Sequence, residues 1–119
     1  YSRKEVNLLF NAIDCALLTS FSEGSPQFIK EAMACNRPIV TTDVGDVRFI
    51  LGDTPGCFIA NYNPEDVAIK LKYAIEYSET KCQTGGRDRI IEIGLDSETI
   101  AKRVINVYEA VLRKKKCDD

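Results

Sequence analysis

The chain has 119 residues, 45% of them hydrophobic and 29% charged, with a net charge of −2. That is the make-up of one soluble globular domain, with room for a core but not a deep one. The acidic balance argues against nucleic acid as the main partner, no apolar run reaches membrane-spanning length, and the opening YSRKEVN is not a signal peptide.

Residues 3–13 read as a helix with Val6, Leu9, Phe10 and Ile13 on one face. After Asp14, Cys15-Ala-Leu-Leu-Thr19 is a short continuous apolar run, the pattern of a strand buried on both faces. Residues 20–25 are small and polar and read as a loop. A helix over 26–35 follows, with Ser25 as its N-cap and Pro26 at its first position. Asn36 suits a left-handed helix terminus, and Pro38 blocks continuation. Residues 39–42 are a second strand, 43–51 a turn and short helix, Asp53-Thr-Pro-Gly56 a turn, and 57–60 a third strand. Asn63 and Pro64 open another helix, with Val67, Leu71, Ala74 and Ile75 inward. After a loop over 81–86, residues 87–93 form a short helix. Asp96 or Ser97 caps the last helix, whose apolar face is Ile100, Val104, Val107, Tyr108, Val111 and Leu112. The basic run 113–116 ends it, favourably for the helix dipole.

Short apolar strands separated by helices imply an α/β fold: a parallel sheet with right-handed crossovers and helices on both faces. Three strands make a thin sheet, so the chain reads as a partial Rossmann-like three-layer fold, a single unit over 1–119. The first residue is Tyr1 rather than Met, so the chain reads as an excised piece or as the visible part of something longer.

The five cysteines, Cys15, Cys35, Cys57, Cys82 and Cys117, are odd in number and contain no Cys-x-x-Cys, and there is no histidine. Free thiols in a reducing cytosol fit this better than a disulfide framework or a zinc site. Cys35 and Cys57 read as small core residues. Without histidine, any chemistry runs on carboxylates, lysine, tyrosine, cysteine or backbone groups.

The stretch SFSEGSPQFIKEAMACNRPIV carries Glu23 and Glu31, eight positions apart. With nine glutamates in the chain, that spacing alone is unremarkable. Its placement is informative. Ligands of open parallel sheets bind beyond the carboxyl ends of the strands, and Glu23 lies just past one. Gly24, Ser25 and Pro26 open a helix whose free amides and dipole favour an anion such as a diphosphate. Glu31 lies further along that helix among Ile29, Ala32 and Met33, and fits a ribose diol. Thr19 and Ser20 end the strand on the same side.

Ser20-Phe-Ser-Glu-Gly-Ser-Pro26, Glu31-Ala-Met-Ala-Cys35 and Arg37-Pro-Ile-Val-Thr-Thr-Asp-Val-Gly45 resemble the donor-binding half of a retaining GT-B glycosyltransferase of group 1 (family 4). The likeness runs on through Gly56-Cys-Phe-Ile, Asn63-Pro-Glu-Asp-Val and Val107-Tyr108-Glu109. Glu23 and Glu31 fill the family's E-x7-E signature. The resemblance implies a C-terminal GT-B domain that binds a UDP- or GDP-sugar with no metal and no further cofactor. It implies that Glu23 contacts the donor sugar as the catalytic residue. Glu31 contacts the ribose, and Gly24, Ser25, Pro26 and Gln27 lie near the diphosphate and sugar. It implies hexosyl transfer to a glycan or lipid-linked acceptor in polysaccharide biosynthesis, in the cytoplasm or peripherally at a membrane.

Three departures stand out: Asn36 where the family writes Gly, Asp46 where a second Gly is usual, and Arg48-Phe49-Ile50 where a glutamate is common. The resemblance also implies an absent N-terminal acceptor domain and absent diphosphate-neutralising cations. It leaves the strand Cys15-Ala-Leu-Leu-Thr19 as an open edge, where an oligomer is expected to form. By itself the chain is expected to be inactive. Lys30 and the basic run 113–116 read as solvated helix residues, and Tyr62, Tyr73 and Tyr77 as packing or surface. The alternatives are a ligand-free protein-interaction module, or an epimerase or phosphorylase relative on the same scaffold.

Overall fold

The computed structural model describes residues 1–117. The side chains of Lys115, Lys116 and Cys117 and residues 118–119 lie outside what is described, and with them much of the basic C-terminal run. The elements are α1 (Arg3–Ala12), β1 (Ala16–Leu18), α2 (Gln27–Ala34), β2 (Ile39–Thr42), α3 (Val47–Leu51), β3 (Cys57–Ala60), α4 (Pro64–Lys81), α5 (Gly86–Glu92) and α6 (Ser97–Cys117). The three strands are parallel in the order β1-β2-β3, with Ala16 opposite Ile39 and Ile39 opposite Cys57. This is the α/β, Rossmann-like arrangement expected.

Side chains alternate across a pleated sheet, and helices cover both of its faces. On one face Ala16, Ile39, Cys57 and Ile59 pack with Phe10 of α1, Ile29, Ala32 and Met33 of α2, Val47, Ile50 and Leu51 of α3 and Ile90 of α5. On the other, Val40, Phe58 and Ala60 pack with Val67, Leu71 and Ala74 of α4. Central β2 is buried throughout, as an apolar strand between two layers should be. The first strand departs from the sequence reading. It spans three residues, and Leu17, expected to be buried, is 42% exposed; its place at the outside of the sheet is the open edge that the family resemblance implies. The reason is that α4 reaches over β2 and β3 but not over β1.

Local chemistry explains most boundaries. Ser2 and Glu5 form a capping box at the start of α1 that the sequence reading passed over: Ser2 Oγ accepts from the Glu5 amide and Glu5 Oε2 from the Ser2 amide. α2 ends at left-handed Asn36, with the Asn36 amide donating to Met33 O and the Arg37 amide to Ala32 O. The carbonyls of Phe49 and Ile50, at the end of α3, accept from the Arg89 guanidinium of α5 at 2.8 and 3.4 Å.

The last helix also departs from expectation. Its apolar face forms as the periodicity predicts, but Ile100, Val104, Val107, Tyr108, Val111 and Leu112 are 39–67% exposed. Periodicity specifies a face; it does not supply a neighbour to cover it.

Candidate functional site

At the carboxyl end of the sheet, the β1–α2 loop is tied down from three sides. Thr42 Oγ1, at the end of β2, donates to Ser20 O at 2.6 Å. Tyr62, just after β3, donates its hydroxyl to Phe21 O at 3.4 Å, and the Tyr62 ring stacks on Phe21 with centroids 5.1 Å apart. From the β2–α3 loop, the Asp46 amide donates to Gly24 O at 3.1 Å and Asp46 Oδ2 accepts from Ser25 Oγ at 2.7 Å. Gly45 has φ +54°, and a Cβ there would lie 2.7 Å from the Glu23 carbonyl oxygen and collide with that of Gly24. Only glycine permits the two loops to touch in this way.

Within this frame Glu23, Gly24, Ser25 and Gln27 are exposed and Pro26 is buried. Glu23 Oε1 accepts from Ser20 Oγ at 2.9 Å. The start of α2 differs from the sequence reading. Helix begins at Gln27, Pro26 holds the cap position with ψ 117°, and no side chain caps the first turn. Ser25, expected to cap it, gives its hydroxyl to Asp46 instead. The first amides of α2 therefore have no side-chain acceptor, and the dipole of the helix is open to an anion.

Glu31, half-buried, sits on a ridge between two hollows. One, of about 330 Å³ between α1 and α2, is lined by Val6, Leu9, Phe10, Ile13 and Phe28, so its wall is apolar apart from Glu31. The other, of about 590 Å³ between α2, α5 and the start of α6, has Gln27, Lys30, Arg87 and Asp96 in its wall. Glu23 lines neither hollow. The two acids are thus held on one loop-and-helix unit but not in one cavity.

Sequence reasoning missed several members of this region. Thr42 and Tyr62 looked like strand and packing residues, and Arg87 an ordinary helix residue. Their roles depend on partners 22 to 51 positions away, which leave no local signal. Asp46 did carry a signal, as an acid in place of a glycine. Lys30, read as solvated, is half-buried against the larger hollow.

Cys15, Cys35 and Cys57 are poor nucleophiles. Burial pushes Cys15 up to about 11 and Cys57 up to about 12, and raises Cys35 as well. Among the described residues no group of three or more His, Cys, Asp and Glu side chains gathers as a metal site would require. No helix there is long and apolar enough to cross a membrane.

Comparison with known proteins decides the family. The profile described as "Glycosyl transferases group 1" matches residues 1–76, which hold the whole sheet, both glutamates and most of α4. The chain belongs to the group 1 glycosyltransferases. A curated relative from Campylobacter jejuni subsp. jejuni serotype O:2 is N,N'-diacetylbacillosaminyl-diphospho-undecaprenol alpha-1,3-N-acetylgalactosaminyltransferase. It is 26% identical over 113 residues, covering 94% of this chain and 30% of the relative. This group 1 chain therefore spans less than a third of the length of that relative. No solved structure matches this chain significantly.

Proposed function

We propose that the chain is the nucleotide-sugar-binding portion of a retaining glycosyltransferase. The observation that carries this is the start of α2: a helix N-terminus with no side-chain cap, at the carboxyl end of a parallel sheet, flanked by Glu23 and Glu31. The uncapped amides around Gly24 to Gln27 would take the diphosphate of a UDP- or GDP-sugar. Lys30, one turn along α2 on the hollow that Gln27 and Glu31 share, adds positive charge on that side of the helix start. Glu31 would accept from the ribose hydroxyls and Glu23 from the donor sugar, each carboxylate offering oxygens that only accept. No resident cofactor or metal enters this reading.

Transfer would proceed on one face of the sugar, the leaving diphosphate helping to deprotonate the acceptor hydroxyl while the α2 dipole stabilises its charge. The acceptor site would lie in sequence beyond these 119 residues. A lipid-linked acceptor is suggested by the name of the Campylobacter relative, which carries an undecaprenol diphosphate. The open edge at β1 and the bare face of α6 suit a piece of a larger protein.

Isothermal titration with a panel of UDP- and GDP-sugars, on this chain and on a longer parent, tests the reading. The expected result is nucleotide binding by the parent that Glu31→Ala weakens at least tenfold without lowering its melting temperature. Absence of binding by both, or an unaffected Glu31→Ala parent, overturns it. A second reading, a ligand-free protein-interaction module, is favoured by the exposed apolar face of α6 and would be selected by that negative outcome.

A further inference from the structure

Two helices meet the site with N-termini that no side chain caps, and the two residues placed to cap them are bonded to each other. Ser25 precedes Pro26 at α2, and Asp46 holds the cap position of α3, yet neither helix has a side-chain cap bond. Instead Ser25 Oγ donates to Asp46 Oδ2 at 2.7 Å. The arrangement is not the one local preference favours. Ser-Pro is a strong cap-and-first-residue pair. Pro26 already has φ −66°, a helical value, and only its ψ of 117° keeps it out of the helix. A turn of that one torsion would start the helix at Pro26 and bring Ser25 Oγ to the amide of Gln27 or Phe28.

The pairing also leaves an unmet requirement. Asp46 Oδ1 is buried with no hydrogen-bond partner, an arrangement that costs stability. A contact kept purely for stability would be expected to satisfy that oxygen. What the pairing does secure is position. With the Asp46 amide on Gly24 O and Gly45 pressed against the same carbonyl, it fixes the β1–α2 loop on the β2–α3 loop. It also keeps a serine oxygen away from the amides that an anion would otherwise share with it.

We propose that Asp46 is a positioning residue: by holding the Ser25 hydroxyl it sets the start of α2 at Gln27 and keeps the first-turn amides free for the donor diphosphate. The inference rests on the donor-site reading for its purpose, but not for its geometry. Asp46 touches no reacting atom and acts through Ser25.

Amide hydrogen exchange on the 119-residue chain tests the geometry without any ligand. In Asp46→Ala, the released Ser25 should cap α2 and slow exchange at Gln27 or Phe28 by about fivefold, the worth of a typical cap. The double variant Ser25→Ala/Asp46→Ala should show no slowing, and Asp46→Asn, which retains an acceptor oxygen for Ser25, should behave as the native chain. Unchanged exchange in Asp46→Ala, or equal slowing in the double variant, overturns the proposal. UDP titration of the longer parent tests the purpose. Asp46→Ala should weaken UDP about fivefold and the double variant should recover most of that loss, since it lacks the competing oxygen. A loss of equal size in both would overturn the positioning role. If exchange behaves as expected while the native parent binds no UDP, the donor-site reading fails and the role of Asp46 at that site fails with it, leaving only its control of where α2 begins.

Discussion

The two ends of α2 are built in opposite ways. At its C-terminus Asn36 turns left-handed, its neighbours close the last carbonyls, and its side-chain oxygen accepts from the Arg87 amide at 2.8 Å while its carbonyl accepts from Thr84. One residue thus ends α2 and caps the start of α5. At its N-terminus the local cap is diverted to Asp46 and the amides stay free. The closed end holds α5 against α2. The open end is where the group 1 chain presents polar backbone to solvent beside two glutamates. The contrast teaches that capping completed at one end of a helix and withheld at the other marks which end is structural.

The contrast can be broken from either side. Gly45→Ala should do the most damage, because it adds a side chain at φ +54° against two carbonyl oxygens; a loss of about 3 kcal/mol is expected in a denaturant melt. On the donor-site reading, UDP binding by the parent falls with it. Gly86→Ala, at the closed end, places a Cβ 2.7 Å from Met33 O and should cost about 2 kcal/mol by separating α5 from α2. It should leave UDP affinity of the folded parent within twofold; a larger loss would show that α5 shapes the site. Asn36→Ala should cost about 1–2 kcal/mol, losing both the left-handed tolerance and the bond to Arg87. Asn36→Gly keeps the first and should cost roughly half as much, so equal losses would show that the left-handed tolerance contributes nothing.

The effect that is smallest at neutral pH comes from the thiols. Cys15 and Cys57 are raised in the folded chain to about 11 and 12 by burial, so folding favours the neutral thiols. Their contribution is fully present below the ordinary thiol value near 8.5 and is lost as pH rises through 11 to 12. Melting temperature should therefore stay level to about pH 8 and fall above it. Cys15→Ala should flatten part of that fall, and a curve of unchanged slope would count against burial as its cause.

How far local sequence reaches can be judged from particular residues. Asn36 was readable because a left-handed terminus depends on one residue and the proline two places on. The parallel order of the strands was readable from apolar runs separated by helices. The start of α2 was not, because Ser25 had two partners available, the nearby amides and a carboxylate 21 positions away, and the distant one won. Periodicity gave α6 a face and was silent on what covers it. Leu17 looked buried because a run of apolar residues does not tell a central strand from an outer one.

By itself, then, the sequence determined the element order, the α/β class, the family signature and the placing of Glu23 and Glu31 on one loop-and-helix unit. Each of these follows from interactions within a few residues or from a repeating pattern of burial. The tertiary structure alone decided that Leu17 of β1 is left exposed and that Glu31 stands between two hollows while Glu23 faces neither. It alone brought Thr42, Asp46 and Tyr62 to hold the loop and left the amides of α2 uncapped. These depend on contacts between segments far apart in the chain, where side chains compete for partners that no local window contains.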